Sequence, residues 1–364
     1  MPGLDPAVID DLVKSQLPKV RKDFAETQQL SRYVGVREIA NRGETVTPGQ
    51  DYREAWRWRR SPAGGPQPNL PYKANAAHYG EYAGEASVRH CLNVDTNMVW
   101  DLLELEANVG GERIYKVIKI RHSAQREGIN NWLEAQVWGI PQSASDIANM
   151  HGLLTWARRS MNSSGTYVAQ PTVQFNGTYQ TWGDGTTTGT LAGVDCTSAL
   201  NERYRNAVAT FSGAVDQTLM ELVMDMMDAL MWNPLSDLEG RFDIGEQMQF
   251  WPNTLALAYK KLVNTGNDDR GRSGVGDFYP IRKTTSNGGA MIAVPYLNNF
   301  AYTPILFVDR GAIKLHKCSG RWDNDNEKIR MPGSHTSYYT PTDFNGQIWC
   351  EVPRNSVGIL HSSF

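Results

Sequence analysis

The chain has 364 residues with a formal net charge of −3, and 40% of its residues are hydrophobic and 21% charged. This length suffices for one large domain or two moderate ones, and the composition is ordinary for a soluble globular protein. The slightly acidic balance argues against a basic nucleic-acid-binding face, so any contact with DNA should be weak and non-specific. No apolar run of about 18 residues is present, so we expect no membrane-spanning segment.

The N-terminal 43 residues are predicted to form a thin, largely helical arm. Asp5 suits an N-cap, Pro6 suits the first helical position, and Val8–Val13 carries an apolar stripe. A second amphipathic stretch, Val20–Leu30, follows the helix-breaking Pro18. These segments have little core of their own, so we expect them to lie on another part of the molecule. Residues 1–17 also lack the basic start and apolar middle of an export signal.

Residues 44–94 are predicted to form a strand, a long excursion and a second strand. Aromatic residues alternate with arginines at strand period up to residue 60, and another strand pattern covers 86–94. The intervening stretch 61–85 is rich in Pro, Gly, Ala and Tyr and has too little apolar volume to fold alone. A compact domain rarely keeps such a loop without a function, so we predict an extended two-stranded loop that reaches away from the body.

Two helices are predicted after this loop. The first begins at Asp95 or Thr96 and carries Met98, Val99, Leu102 and Leu103 on one face. The second covers Glu112–Trp138 and, at 1.5 Å per residue, is on the order of 40 Å long, enough to be the spine of a domain.

The remainder is predicted to be mixed helix and strand. Asn176-Gly177 lies between alternating segments and predicts a hairpin turn. Ala214–Trp232 has the clearest helical pattern, with Asp216 in its first turn, and a short helix is expected near Asn253–Leu262. The candidate strands are Ala290–Tyr296, Pro304–Val308, Ala312–Lys317 and Gln347–Val352.

The sequence contains no recognisable catalytic, cofactor or metal site. It lacks a dinucleotide-binding fingerprint, a Walker motif and a nucleophile elbow, and its seven histidines are spread singly. Residues 323–327 resemble the start of a calcium loop, but Lys328 occupies the position that requires Gly, so a solvated acidic turn is expected. Four scattered cysteines, at 91, 196, 318 and 350, predict free buried thiols in a reducing cytoplasm. We therefore expect neither an enzyme nor a cofactor.

The order of segments resembles the major capsid proteins of tailed phages, whose fold, of the Hong Kong phage type, is shared with encapsulins. The string Leu17-Pro-Lys-Val-Arg-Lys-Asp-Phe24 resembles the arm of that family. Gly193-Val-Asp195, followed by Arg203-Tyr-Arg-Asn206, resembles its Gly-Ile-Asp … Trp-Arg-Asn passage, with Tyr204 where Trp is usual. The late segments Ile281–Tyr296, Ile305–Asp309 and Ile313–Leu315 resemble the strands that end its axial domain.

The resemblance implies an α+β fold and a division of nearly the whole chain. The implied parts are an N-terminal arm (1–43), an extended β-hairpin loop (44–94), a peripheral domain (95–210) with a spine helix at about 112–138, an axial domain (211–310), and a return to the peripheral domain with a C-terminal extension (311–364). Residues 320–364 exceed the family pattern, so we interpret them as an added loop or clasp.

The resemblance also implies a function. The chain would assemble as pentamers and hexamers into the icosahedral head that encloses the double-stranded DNA of a tailed phage. Its partners would be other copies of itself, scaffolding, portal and decoration proteins, and DNA by weak contact, without a membrane. It would be a structural protein of the virion, assembled in the host cytoplasm. The alternatives are an encapsulin-like shell around protein cargo and, less favoured, an α+β enzyme without a recognised motif.

Aromatic residues of the extended loop are the predicted anchors onto neighbouring subunits, because Trp and Tyr suit interfaces that are part apolar and part wet. The predicted anchors are Trp56, Trp58, Tyr72, Tyr79 and Tyr82, and the alternative is that they pack within their own chain. Lys73 lies in the same loop. Some family members form a Lys–Asn covalent cross-link from such a loop, which also requires a buried Glu and an Asn from other subunits.

Overall fold

The computed structural model describes residues 33–46, 51–56, 84–89, 94–101, 111–146, 148–230, 247–267, 290–325, 329–330, 333, 337–350 and 353–362. The helices in these ranges are α1 (Val34–Glu38), α2 (Gly111–Trp138), α3 (Leu153–Trp156), α4 (Gln217–Ala229), α5 (Asn253–Asn267) and α6 (Pro353–Ser356). Shorter 3₁₀ segments cover Ala40–Arg42, Ala199–Tyr204 and Pro295–Asn299.

The strands in chain order are β1 (Glu44–Val46), β2 (Asp51–Trp56), β3 (Gly84–Arg89), β4 (Val94–Asp101), β5 (Gln174–Gly177), β6 (Gln180–Thr181), β7 (Thr187–Thr188), β8 (Thr190–Leu191), β9 (Val194–Asp195), β10 (Asn206–Phe211), β11 (Gln247–Pro252), β12 (Ala290–Val294), β13 (Ile305–Asp309), β14 (Ile313–Asp325), β15 (Ile329–Arg330), β16 (Ser337–Cys350) and β17 (Val357–Ser362).

A five-stranded sheet is built around the long antiparallel pair β14 and β16. Its order is β1-β14-β16-β15, and β4 pairs with β16 as well. β1 runs parallel to β14, whereas β4 and β15 run antiparallel to β16. The rings of Trp132 from α2, Phe344 from β16 and Trp322 from β14 pack in sequence, with centroids 6.1 and 5.4 Å apart. Their contact attaches this sheet to the long helix α2.

A six-stranded sheet, in the order β12-β11-β13-β17-β10-β5, has both faces covered. On one face, Ala209 of β10 and Leu360 of β17 pack with Leu222 of α4 in a single cluster. The alternate residues Val208 and Ile359 belong to a second cluster that includes α2 and α3. Burial on both faces explains why β12 and β13 have continuous apolar runs rather than an alternating pattern.

The long helices and the late strands confirm their sequence predictions. Helix α2 begins at Gly111, one residue before the predicted start, and ends at Trp138 as predicted. Asp216 is the N-cap of α4, where its Oδ1 accepts a hydrogen bond of 2.8 Å from the Leu219 N–H. Helix α5 and strands β12, β13, β14 and β16 lie at the predicted places, although β14 and β16 extend well beyond the predicted ranges.

The helix predicted to begin at Asp95 or Thr96 is wrong, because residues 94–101 form strand β4. This strand pairs antiparallel with β16 along its full length, from Val94 opposite Phe344 to Asp101 opposite Ser337. The segment is rich in β-branched and aromatic residues, and pairing with a distant strand decided its structure over a helical periodicity.

The hairpin turn predicted at Asn176-Gly177 is also wrong. Both residues end strand β5, which pairs antiparallel with β10 and places Gly177 opposite Asn206. A Cβ at position 177 would lie 1.9 Å from the Asn206 Oδ1 atom, so the glycine permits a close approach rather than a turn. The tight turn of this region lies further on, between β6 and β7, where Gly185 has φ +85°.

The tail is not an added loop or clasp. It supplies β16 to the five-stranded sheet and β17 to the middle of the other sheet, where β17 runs parallel to β10 and antiparallel to β13. Residues 323–325, expected in an acidic turn, lie in β14. Because β10 and β17 share a sheet with β11–β13, the predicted domain boundaries do not coincide with the two sheets, and the domain division remains a prediction.

Candidate functional site

The base of the predicted extended loop is the candidate functional site. Among the predicted interface residues, Trp56 is the last residue of β2, where the backbone alone is described. Trp58, Tyr72, Lys73, Tyr79 and Tyr82 lie outside the described residues. Their contacts with neighbouring subunits therefore stay a prediction.

The described part of this loop is a two-stranded antiparallel ribbon. Strands β2 and β3 pair over six positions, from Asp51 opposite Arg89 to Trp56 opposite Gly84. Within the described residues neither strand pairs with a third one. Because Trp56 and Gly84 are directly opposite each other, residues 57–83 connect the two strands at one end of the ribbon.

Both ends of the loop start from the five-stranded sheet. On one side, β1 lies parallel to β14, with Glu44 opposite His316 and Val46 opposite Cys318. On the other side, β4 lies antiparallel to β16. Since β14 and β16 pair with each other, one pair of strands holds the two feet of the ribbon, namely β1 and β4.

The foot β1 is fixed by close backbone packing and one exposed ion pair. A Cβ at Gly43 would lie 2.5 Å from the Leu315 carbonyl oxygen, so only glycine allows the chain to enter β1 so close to β14. The Lys314 Nζ atom donates to the Glu44 Oε1 atom at 2.6 Å, and this bond lowers the pKa of Glu44.

The segment before this foot is docked on α2 through Glu134. The Glu134 Oε1 atom accepts hydrogen bonds from the Gly35 N–H at 3.0 Å and from the Trp138 Nε1–H at 2.7 Å. The Oε2 atom accepts from the Val36 N–H at 3.0 Å. Burial raises the pKa of the Glu134 carboxyl, and these three donors oppose that shift. One side chain therefore satisfies two amides at the start of α1.

Apolar packing and a second ion pair complete this docking. Tyr33, Val34, Val36 and Ile39 are buried in the main core. Glu38, at the end of α1, pairs with Arg310, which is buried beside β13. The segment 33–42 thus lies on another part of the molecule, whereas the two stretches predicted to do so, Val8–Val13 and Val20–Leu30, lie outside the described residues.

The strands that carry the feet are themselves attached to α2. Arg126 pairs with Asp323 of β14, and the Gln125 Nε2 atom donates to the Thr342 Oγ1 atom of β16 at 3.3 Å. The long helix therefore connects the docked segment 33–42, through Glu134, to the pair of strands that holds the ribbon.

Sequence reasoning missed the residues that build this base. Glu134 had a detectable signal, because it is a carboxylate within the apolar stripe formed by Ile129, Leu133 and Val137 of α2, all of which are buried. Such a position requires donors from another element. The partners of Glu134 and of Arg310 lie far away in the sequence, and no local pattern identifies them.

The described residues contain no group of three or more His, Cys, Asp or Glu side chains arranged to hold a metal ion. Cys196, Cys318 and Cys350 are buried free thiols. Burial lowers the pKa of His151 and of His361 to about 4. Within the described ranges, no helix combines the length and apolar character needed to cross a bilayer.

Comparisons with known proteins identify the fold. No protein-family model matches the sequence, and no curated protein matches it. A chain of the cyanophage A-1(L) capsid asymmetric unit is similar with a TM-score of 0.60 and 10% identity, over 92% of this chain and 94% of that chain. A chain from the capsid of a native GTA particle is similar with a TM-score of 0.50 and 11% identity, over 92% of both chains. The chain has the mixed α+β fold of these capsid subunits, which confirms the predicted fold class.

Proposed function

We propose that this chain, which has the fold of a phage capsid subunit, is the major capsid protein of a tailed phage. It assembles as pentamers and hexamers into the icosahedral head that encloses double-stranded DNA. The observation that carries the proposal is the ribbon β2–β3, whose feet lie on one pair of strands and whose own strands pair only with each other within the described residues. The similar solved structures are capsids, which supports the same role.

A two-stranded ribbon of this kind gains stability when a further chain pairs with it or packs on it. An isolated pair of strands is marginally stable in water, and its outer edges have unpaired backbone groups. A shell supplies the missing partner, because each ribbon can lie on a neighbouring copy. Contacts of this kind, repeated around every subunit, hold a large assembly together although each one is weak.

The proposal assigns the chain a structural role in the virion. Assembly takes place in the host cytoplasm, with scaffolding, portal and decoration proteins as further partners. A net charge of −3 supports weak and non-specific contact with the packaged DNA. The aromatic residues of the loop, Trp56, Trp58, Tyr72, Tyr79 and Tyr82, are the proposed anchors onto adjacent subunits, beside Lys73.

Negative-stain microscopy and size-exclusion chromatography of the purified chain test this function. We expect shells, tubes or capsomers, whereas small isolated particles at all concentrations would contradict the proposal. The contents of shells from producing cells separate two readings, since packaged DNA supports a phage head and protein cargo supports an encapsulin-like compartment.

A variant with a shortened loop, compared with the full chain, tests whether the loop drives assembly. Because Trp56 and Gly84 are directly opposite each other, an Asn-Gly turn can replace residues 57–83 and close the ribbon as a two-residue hairpin. We expect this variant to keep its circular dichroism spectrum and cooperative unfolding but to lose assembly. A shortened chain that still builds normal shells would show that the loop is not the assembly element.

A further inference from the structure

Arg159 has a positive charge that the described residues do not neutralise. Its guanidinium carbon lies 4.9 Å from the centre of the Tyr167 ring and 4.3 Å from the centre of the Tyr302 ring. Within the described residues the guanidinium forms no hydrogen bond and no ion pair, and burial lowers its pKa. The preceding Arg158 differs, because its guanidinium donates to Asn206, Cys196 and Tyr204.

The groups around Arg159 are neutral and cannot supply the missing charge. Burial raises the pKa of Tyr302 to about 12 and lowers that of His361 to about 4. The His361 Nε2 atom accepts a hydrogen bond from the Ser160 N–H at 3.3 Å, which also requires an unprotonated nitrogen. The guanidinium is therefore a partly buried cation without a charged partner among the described residues.

Helix α4 exposes negative charges and an apolar side chain. It contains no Lys or Arg, and Glu221 and Asp225 lie one turn apart on its exposed side. Neither carboxylate forms an ion pair within the described residues, and Glu221 accepts a single hydrogen bond of 2.9 Å, from the Gln217 amide. Met224 lies between them and is 45% exposed. We call Glu221, Met224 and Asp225 the acidic face.

The acidic face and Arg159 lie on opposite sides of the six-stranded sheet. Helix α4 covers the side that includes Ala209 and Leu360. His361 follows Leu360 in β17, so its side chain points to the other side, together with Ile359. Arg159 shares this second side, because it packs with Tyr302 and Tyr167, whose rings contact His361. The sheet separates the two charges within one chain.

We propose that Arg159 of one copy binds the carboxylates of the acidic face of the next copy, in a head-to-tail contact that repeats around a capsomer. A heterologous contact of this kind, between two different surfaces of identical subunits, closes into a ring when the rotation allows it. The planar guanidinium fork of Arg159 can bind a carboxylate of the acidic face through two parallel hydrogen bonds. The inference rests on the proposed function and names one contact by which the subunits associate.

A second copy fits better than DNA as the occupant. The complementary acidic face is present on the same chain, and the chain as a whole is acidic, with a net charge of −3. A phosphate backbone would favour several basic side chains along one surface, whereas a single guanidinium held between two rings suits one carboxylate contact.

Charge reversal tests the contact in the full chain. Arg159→Glu should raise the subunit concentration needed for assembly by about 100-fold, because like charges then face each other. The double variant Glu221→Lys/Asp225→Lys should do the same, and these exposed helix positions leave the fold intact. Combining all three substitutions on one chain should restore assembly. Mixing the two single-sided variants should restore six-membered rings, in which the variants can alternate and each offers the surface that the other lacks. Sedimentation velocity measures the assembled fraction.

The controls separate this contact from folding and from the proposed function. Arg321→Glu, at an exposed position of β14, should assemble like the wild type, and unfolding curves check that each variant folds. Arg159→Gln provides a milder change if Arg159→Glu fails to fold. If the wild type assembles and the reversed variants assemble equally well, the contact alone is overturned. The contact is also overturned if Arg159→Glu loses DNA binding and the reversed acidic face does not restore its assembly. A wild type that never assembles overturns the proposed function together with this contact.

Discussion

His151 and His361 make the stability of this protein sensitive to acid. Both imidazoles are buried, and desolvation lowers their pKa from 6.5 to about 4. Each shift corresponds to about 3 kcal/mol of unfolding free energy, fully present above pH 6.5 and lost as the pH falls towards 4. We expect the unfolding free energy, measured by urea titration at several pH values, to decrease over this range.

The substitution His151→Phe isolates one of these groups. The Nδ1 atom of His151 has no hydrogen-bond partner within the described residues, and the ring packs on Trp182 at 5.6 Å, which suits a phenyl ring. The variant should be at least as stable as the wild type near neutral pH and should lose less stability in acid. Glu134 acts in the opposite sense, since its raised pKa favours the folded state at lower pH. An unchanged pH dependence in His151→Phe would contradict the prediction.

Gly35 of α1 and Gly128 of α2 allow a matched comparison of two Gly→Ala substitutions. A Cβ at Gly35 would lie 2.9 Å from the Trp138 Nε1 atom and 3.0 Å from the Glu134 Oε2 atom, so Gly35→Ala must displace the docked segment. We expect it to lower the unfolding free energy by about 1–3 kcal/mol. A Cβ added at Gly128 of α2 would meet no described atom within 4 Å, so Gly128→Ala should raise stability by about 0.5–1 kcal/mol. Thermal unfolding of both variants checks the signs.

At the scale of elements, two ion pairs hold the segment that leads into the ribbon, and they should differ in value. Arg310 is buried and pairs with Glu38, whereas Lys314 and Glu44 are partly exposed. Arg310→Met removes one of the two cations that pair with Glu38 and leaves Arg37, so it should cost about 1.5–3 kcal/mol. Lys314→Met should cost less than about 1 kcal/mol, because water solvates the carboxylate that remains. Equal losses in denaturant titrations would show that burial does not decide the strength of these pairs.

Local periodicity predicted the elements whose neighbours are close in the sequence. Helix α2 begins within one residue of its predicted start, and Asp216 marks the beginning of α4 by its capping chemistry. The same reasoning failed at β4, where the apolar spacing of residues 95–103 fits a helix but the partner strand lies more than two hundred residues away. Strands β10 and β17 were not predicted, because burial on both faces removes the alternation that identifies a strand.

The candidate site was predicted only in outline. The change in composition over residues 61–85 indicated a long excursion between two strands, and the ribbon β2–β3 has that form in its described part. Its feet on β14 and β16, the docking of Gly35 on Glu134 and the Glu38–Arg310 pair depend on contacts between distant segments. One sequence carries no direct signal for such contacts, since each partner looks ordinary in its own surroundings.

At the scale of the whole molecule, the acidic net charge predicts weak attraction to nucleic acid. With a net charge of −3 and a pI near 6.2, the purified chain should pass through a heparin column at about 0.15 M salt. A basic DNA-binding domain of similar size provides the control for retention. Tight binding that weakens steeply with added salt would indicate a concentrated basic surface and would contradict weak contact with packaged DNA.

The position of β17 also sets the order in which the molecule can be completed during synthesis. Strand β17 (Val357–Ser362) lies between β10 and β13 and pairs with both, and all six of its residues are buried. Until the ribosome has delivered residues 357–362, two inner strand edges stay open and neither apolar layer beside them can close. A nascent chain in which α2 and the ribbon β2–β3 have formed is therefore still incompletely folded. A subunit becomes competent to join its neighbours only after translation has passed residue 362.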